Sequence, residues 1–283
     1  MKVSNLLGPV FTGLTLAALA AATPLQAADI KSPPGVLRVC ADANYLPYSN
    51  QAGQGFENKV AEILAKGMGR KLQYYWGSYR GRGGFAEFLA VSMDVGKCDV
   101  VMNIPYGIGN EGYTDSYYSS SYVFVTRKNG PSITSMHAPE LRAMKIGFED
   151  DTPPGDALKV VGLTNNMANM KLFDIGSEKD ASPREMLEAV HNGSLGLVIT
   201  WQPAIGAFLK DYPDLKVAAV PAEQMGPGLP AMRFNFPMSV GVRGNDVAMR
   251  DAVNRALKSQ KGQIDAVLRQ YAVFAPPGRQ QPY

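Results

Sequence analysis

Between Val36 and Thr126 the sequence switches repeatedly between two hydrophobic periods, and few folds accommodate that alternation. "VLRVCA" (36–41) reads as a buried strand, and Phe56, Val60, Ile63 and Leu64 then recur at helical spacing through "GFENKVAEILAKGMGR", which Gly67 and Gly69 terminate. "KLQYYW" is a second strand, "GFAEFLAVSMDVGK" a second helix, and "CDVVMN" a third strand with a nearly continuous apolar run. Strands separated by helices in this way connect through right-handed crossovers, so the segment predicts an α/β layer on a parallel sheet.

A second cycle follows with different punctuation. "KIGFE" is strand-like, "GDALKVVGL" helical, and "SPREMLEAVHNG" opens with Ser182 as N-cap, Pro183 in the first turn and Glu185 completing a capping box. "LGLVIT" is another buried strand, "PAIGAFLKDYP" a helix that stops at proline, and "LKVAAV" a further strand. The chain returns to strand in "PMSVGVR" and closes with the helices "NDVAMRDAVNRALKSQ" and "KGQIDAVLRQYAV". Met249, Ala252, Val253, Ala256 and Leu257 share one helical face and are expected to cover the first unit, since the second has helices of its own. The expected class is therefore α/β with two lobes, each a mainly parallel sheet flanked by helices. Lobe 1 comprises residues 28–125 and 237–283, lobe 2 residues 126–236, and "YVFVTRK" and "PMSVGVR" supply the two hinge crossovers.

The first 27 residues carry one lysine, no acid, an apolar middle and small residues near Ala27, the composition of a signal peptide cleaved near that alanine. Export to the periplasm is expected, and no later segment is long and apolar enough to predict a membrane span. With 28 basic against 25 acidic residues, the balance gives no argument for nucleic acid as a partner. His137 and His191 are the only histidines and stand in unrelated contexts, which argues against a histidine-based metal site or a Ser-His-Asp triad. "FEDDTPPGD", with Glu149, Asp150, Asp151 and Asp156, matches no calcium loop, so no metal is expected.

Two opposing arguments bear on Cys40 and Cys98, the only cysteines. An oxidising compartment favours pairing them. Their stagger in neighbouring parallel strands would hold the Cα atoms beyond the bridgeable separation of about 7 Å, and the sequence leaves the bridge open.

The blocks "LRVCADANYLPYS", "GFENKVAEILAKGMGRKLQY", "GKCDVVM", "YYSSSYVFVTRK" and "SVGVRGNDVAMRDAVNRAL" follow one another along the chain. In that order they resemble the type II periplasmic solute-binding proteins, exported two-lobed receptors that close on a small molecule. The set "LRVCAD", "LPYSNQAGQGFENKVAEILA", "GKCDVVMNIP" and "YYSSSYVFVTRK" is similar, more narrowly, to the MxaJ/XoxJ family, solute-binding-like proteins associated with periplasmic quinoprotein (methanol) dehydrogenases. The resemblance implies a non-enzymatic accessory protein that assists the maturation or activation of a pyrroloquinoline-quinone dehydrogenase of alcohols. It implies no cofactor of its own, and a monomer is expected.

Amino-acid receptors of this fold hold the ligand carboxylate with a bidentate arginine between the third strand and the "YYSS" block. Here that segment reads "NIPYGIGNEGYTDSYYSS", with Asn103, Tyr106 and Glu111 and no arginine. The acid that follows the buried strand of the second lobe in such receptors is replaced by Thr200, Trp201 and Gln202. What remains for the cleft is aromatic and neutral. Tyr45, Tyr48, Trp76, Tyr106, Tyr117, Tyr118 and Trp201 supply faces, Asn103 and Ser119 supply hydrogen bonds, and Asp42 and Asn44 stand on the rim. That lining suits a neutral small molecule or a peptide segment of a partner. An importer receptor for a small neutral solute is the alternative reading. An enzyme would need a cleft acid with a raised pKa, for which Glu111 and Asp42 are the candidates. The glycine-rich "YRGRGGF" lacks the spacing of a phosphate-binding loop; it reads first as a flexible solvated loop, with a docking loop for an acidic partner, through Arg80 and Arg82, as the alternative.

Overall fold

The computed structural model describes residues 33–79, 84–107, 112–149, 152–170, 182–244 and 246–274. Its first half follows the alternation of periods directly. β1 (Val36–Asp42), α1 (Phe56–Gly67), β2 (Lys71–Gly77), α2 (Gly84–Ala90) and β3 (Val100–Pro105) succeed one another, and β1 pairs in parallel with both β2 and β3. α2 is shorter than its sequence pattern, because the chain turns from Val91 onward.

The chain then runs through β4 (Tyr118–Arg127), β5 (Ile146–Glu149), α3 (Pro153–Val160), β6 (Met167–Met170), α4 (Arg184–His191) and β7 (Leu197–Trp201). α5 (Gln202–Ile205) gives way to a 3₁₀ segment at Gly206–Asp211, and β8 (Leu215–Ala219), β9 (Asn235–Val242), α6 (Val247–Ser259) and α7 (Lys261–Gln270) complete it. At α4, Ser182 Oγ accepts from the Arg184 N–H at 3.3 Å, while Pro183 occupies the N-cap position.

These nine strands and a short tenth, Gly112–Tyr113, form one mixed sheet in the order β2-β1-β3-β9-β4-β7-β5-β6, with β8 added alongside β4 and the short strand alongside β9. Each end is parallel, and the centre is antiparallel because β9 and β4 run back between the two ends. Two apolar clusters lie against each half. Leu37, Val39, Phe56, Val60 and Leu64 pack with Met249, Val253, Ala256 and Leu257 of α6 on one face of the first half. Phe88, Leu89, Met93, Cys40 and Cys98 fill the other. Phe124, Ile146 and Phe148 centre one cluster of the second half, and Val123, Val125 and Leu187 the other.

Cys40 and Cys98 form a disulfide with Cα atoms 5.5 Å apart. The stagger argument fails because β3 begins only at Val100, so Cys98 lies in the turn before it and is not held to the ladder. Beside the bridge Asp99, fully buried, receives Arg38 Nη2 at 2.5 Å and Arg243 Nη2 at 3.3 Å, which ties the end of β9 to β1 and β3.

A further contact crosses between the halves at the end of α7. Ala272 adopts φ +50°, its carbonyl accepts from Gln202 Nε2 at 2.8 Å, and the next carbonyl, of Val273, accepts from Ser120 Oγ at 2.7 Å. Gly206 makes this approach feasible, since a Cβ there would lie 2.2 Å from the Ala272 oxygen. Gly206→Ala is therefore expected to cost about 1–3 kcal/mol in urea unfolding, the range for overpacking against backbone that cannot yield. Gly262→Ala, at an open helical position, should be neutral or stabilising by up to about 1 kcal/mol.

Candidate functional site

Side chains from the carboxyl ends of β1, β3, β5 and β7 gather between the two halves of the sheet, where α/β proteins place their ligands. Asp42 organises the β1 exit. Its two carboxylate oxygens accept from the backbone N–H groups of Asn44 (2.9 Å) and Tyr79 (2.8 Å), and Ser49 Oγ donates to its carbonyl at 2.8 Å. The carboxylate thus sets the path of two loops. Gly55 lets α1 start against this turn, since a Cβ there would lie 1.9 Å from the Tyr48 carbonyl oxygen. Asn58 Oδ1 then accepts from the N–H groups of Gly55 and Asn50, both at 3.0 Å, which fixes the first helical turn.

That first turn carries Glu57 inward, leaving it 4% exposed. Its carboxyl accepts a hydrogen bond from the Asn103 side chain, and burial, reinforced by the nearby charge of Asp42, pushes it up to about 8. Asn103 stands at φ +62°, a left-handed conformation that asparagine tolerates better than most residues, and its Oδ1 accepts from the Tyr118 hydroxyl. From the opposite half, Glu149 at the end of β5 is lifted by burial to about 7.

Phenols surround these two acids. Tyr45 and Tyr48 stack with ring centroids 4.7 Å apart, Tyr79 stands edge-on to Tyr45 at 6.0 Å, and Tyr117 meets Tyr118 edge to face at 4.9 Å. Tyr122 packs on Trp201 at 5.2 Å, and Trp201 on Phe236 at 6.1 Å. Burial pushes the hydroxyls of Tyr45, Tyr48, Tyr79, Tyr117 and Tyr118 well above the usual phenol range. The charges of Glu57 and Glu149 add to the upward shift at Tyr45 and Tyr48.

The sequence-derived site residues divide accordingly. Tyr45 stacks on Tyr48, Tyr117 meets Tyr118, Asn103 links Tyr118 to Glu57, and Trp201 joins Tyr122 from β7. Tyr106 does not, being 55% exposed with its ring beside Tyr113. Trp76 stacks on Tyr74 at 4.4 Å on β2, Asn44 is exposed, and Ser119 sits in β4 opposite Pro237. Thr200 is fully buried inside β7, and Gln202 spends its amide on Ala272. Arg80, Arg82, Glu111, Asp150 and Asp151 lie outside the described residues. Among the described residues no group of three or more His, Cys, Asp or Glu side chains could hold a metal ion.

The expectation of a neutral cleft is corrected by Glu57 and Glu149. Glu57 was legible, because it shares a helical face with Val60, Ala61 and Leu64 at spacings of three, four and seven, an unusual place for a carboxylate. Glu149 ends a buried parallel strand, where side chains point into the crevice, but in sequence it reads as one of a run of acids.

Two half-sheets joined by adjacent crossing strands, with polar and aromatic groups collected between them, define a type II periplasmic solute-binding protein. No model of a known protein family matches the sequence. Protein MoxJ of Methylorubrum extorquens AM1 is 30% identical over 264 residues, 89% of this chain and 85% of the relative. The chain belongs to the MoxJ family, together with MxaJ and XoxJ. MxaJ from Methylophaga aminisulfidivorans MPT superposes with a TM-score of 0.75 at 26% identity, over 84% of this chain and 98% of that one. The periplasmic binding protein XoxJ from Methylobacterium extorquens AM1 gives 0.67 at 27% identity, over 86% and 100%. No helix among the described residues is long and apolar enough to cross a membrane.

Raised carboxyl pKa values make stability fall with pH. Both acids bind protons more tightly when folded than at the ordinary value of 4.5, so the stability they contribute is complete below that value and lost as pH rises through about 7 and about 8. Urea midpoints should be lower at about pH 8.5 than at about pH 5.5, and Glu57→Gln should flatten that slope. A slope identical in Glu57→Gln and the parent would show that Glu57 is not the titrating group.

Proposed function

We propose that the chain is exported, with cleavage near Ala27, and works in the periplasm as a non-enzymatic accessory protein of a quinoprotein methanol or alcohol dehydrogenase, assisting its maturation or activation. The observation that carries the reading is the likeness to MoxJ over most of both chains, at 30% identity. The cleft supports it by what it lacks. An amino-acid receptor needs a cation for the ligand carboxylate, and the segment that would supply it, "NIPYGIGNEGYTDSYYSS", contains no arginine or lysine.

In this reading lobe 1 is formed by residues 28–125 and 237–283 and lobe 2 by 126–236, and the aromatic cluster between them meets a segment of the dehydrogenase. Tyrosine and tryptophan give large contact area with few rotatable bonds, as recognition of a partner requires.

The test is capture of a quinoprotein dehydrogenase from periplasmic extract by the tagged protein, followed by assay of the dehydrogenase's active fraction on mixing. Tyr45→Ala combined with Trp201→Ala should weaken capture by roughly tenfold or more, as loss of central aromatic contacts does. Tyr106→Ala, outside the cluster, should leave it unchanged. No capture, together with a small molecule released from the denatured protein, would assign the chain instead to solute delivery for an importer.

A further inference from the structure

The crossing strands β4 and β9 join the two halves, and a hinge at such strands ordinarily lets one half rotate toward the other to enclose a ligand. Beside that hinge the end of α7 makes a third attachment. Val273 is anchored in the apolar cluster of the first half with Leu268, whose carbonyl accepts from the Val273 N–H at 2.9 Å. The Val273 carbonyl accepts from Ser120 Oγ of β4 at 2.7 Å, and the preceding carbonyl, of Ala272, accepts from Gln202 Nε2 of α5 at 2.8 Å. α5 itself enters both cores. Ala204 packs in the cluster of Val273 and Leu268, while the adjacent Ile205 packs with Val123, Val125 and Leu187 of the second half.

These contacts resist movement in both senses. Ser120 and Val273 are fully buried, Ala204 nearly so, and Gln202 is 2% exposed. Carrying α5 away from α7 would leave the buried Gln202 amide without its acceptor and open a gap where Ala204 fills the first core. Pressing α5 toward α7 is blocked by backbone. A Cβ on Gly206 would stand 2.2 Å from the Ala272 oxygen and 2.6 Å from the Tyr271 oxygen, so the two segments already lie at an approach that only glycine allows.

We propose that Ala272 and Val273 clamp the hinge, holding the two halves at one angle so that the cleft neither opens nor closes. The clamp belongs to the frame and is independent of what the cleft meets. Its consequence for binding is preorganisation. No part of the interaction energy is diverted into rotating one half against the other, and a partner meets a surface formed in advance. A receptor that swings on its hinge, by contrast, presents one surface when empty and another when loaded.

Spin labels on Glu62→Cys of α1 and Lys159→Cys of α3, in the mature protein with its disulfide intact, report the distance between the halves by double electron–electron resonance. Both side chains are exposed, and each pairs within its own helix, with Lys59 and Asp156, so labelling them costs little stability. The parent should give one narrow distance. Gln202→Met combined with Ser120→Ala removes both donors and should raise the share of molecules away from that distance roughly tenfold or more, the effect of losing two buried hydrogen bonds. Near-UV circular dichroism checks that the double variant folds. Gly206→Ala, which drives α5 and α7 apart, should move the distance itself and provides the test where the double variant does not fold. A broad or two-population distribution in the parent would overturn the proposal. So would a distribution unchanged in the folded double variant, or in Gly206→Ala where that variant is the test, since the angle would then be set by the crossing strands alone.

Discussion

The pairing of β9 with β4 decides the rest of the architecture. Asn235, Phe236, Pro237 and Met238 lie antiparallel to Ser121, Ser120, Ser119 and Tyr118, and through these pairs two parallel half-sheets become one continuous sheet. Because both crossing strands return through the middle, the carboxyl ends of β1 and β3 are turned toward those of β5 and β7. Tyr118, Tyr122 and Phe236, which ring the cleft, are carried by the crossing strands themselves. The Ala272–Val273 carbonyls add a connection apart from the crossing strands, bonded to Gln202 of α5 and Ser120 of β4.

Most of the architecture was visible in the sequence, since each buried strand is a short apolar run and each long helix carries a stripe. α1, α6 and α7 fall where the stripes lie. The helix expected over 203–213 was less legible. Only Gln202–Ile205 is α-helical, and Gly206, needed for close approach to Ala272, marks where the tighter 3₁₀ winding begins. For the disulfide, sequence positions alone could not show that Cys98 lies outside the ladder. In the cleft, the tyrosines at strand ends were readable, whereas the direction a side chain takes after a strand ends was not. Hence Tyr106 and Gln202 were grouped with residues they do not meet.

The cleft shows how a receptor scaffold takes on different chemistry without changing its frame. Two acids are shifted upward here from different positions, one in the first turn of α1 and one at the tip of β5. Carboxyls raised to about 7 and about 8 make the charge there respond to protons within the neutral range. A guanidinium in the same place would remain charged throughout that range.

The arrangement of β4 also limits which changes of length the chain can tolerate. Tyr118, Ser120, Tyr122 and Phe124 point to one face because strand side chains alternate with a period of two. One residue inserted between Tyr118 and Tyr122 would exchange the faces of everything beyond it, turning Phe124 toward α4 and Val123 and Val125 toward the opposite core. Only a change of two residues would restore the parity, and it would shift the pairing of β4 with β7 and β8 as a whole. The spacing of the two halves is thus counted out in whole pleats, so this stretch is closed to single-residue insertion and deletion.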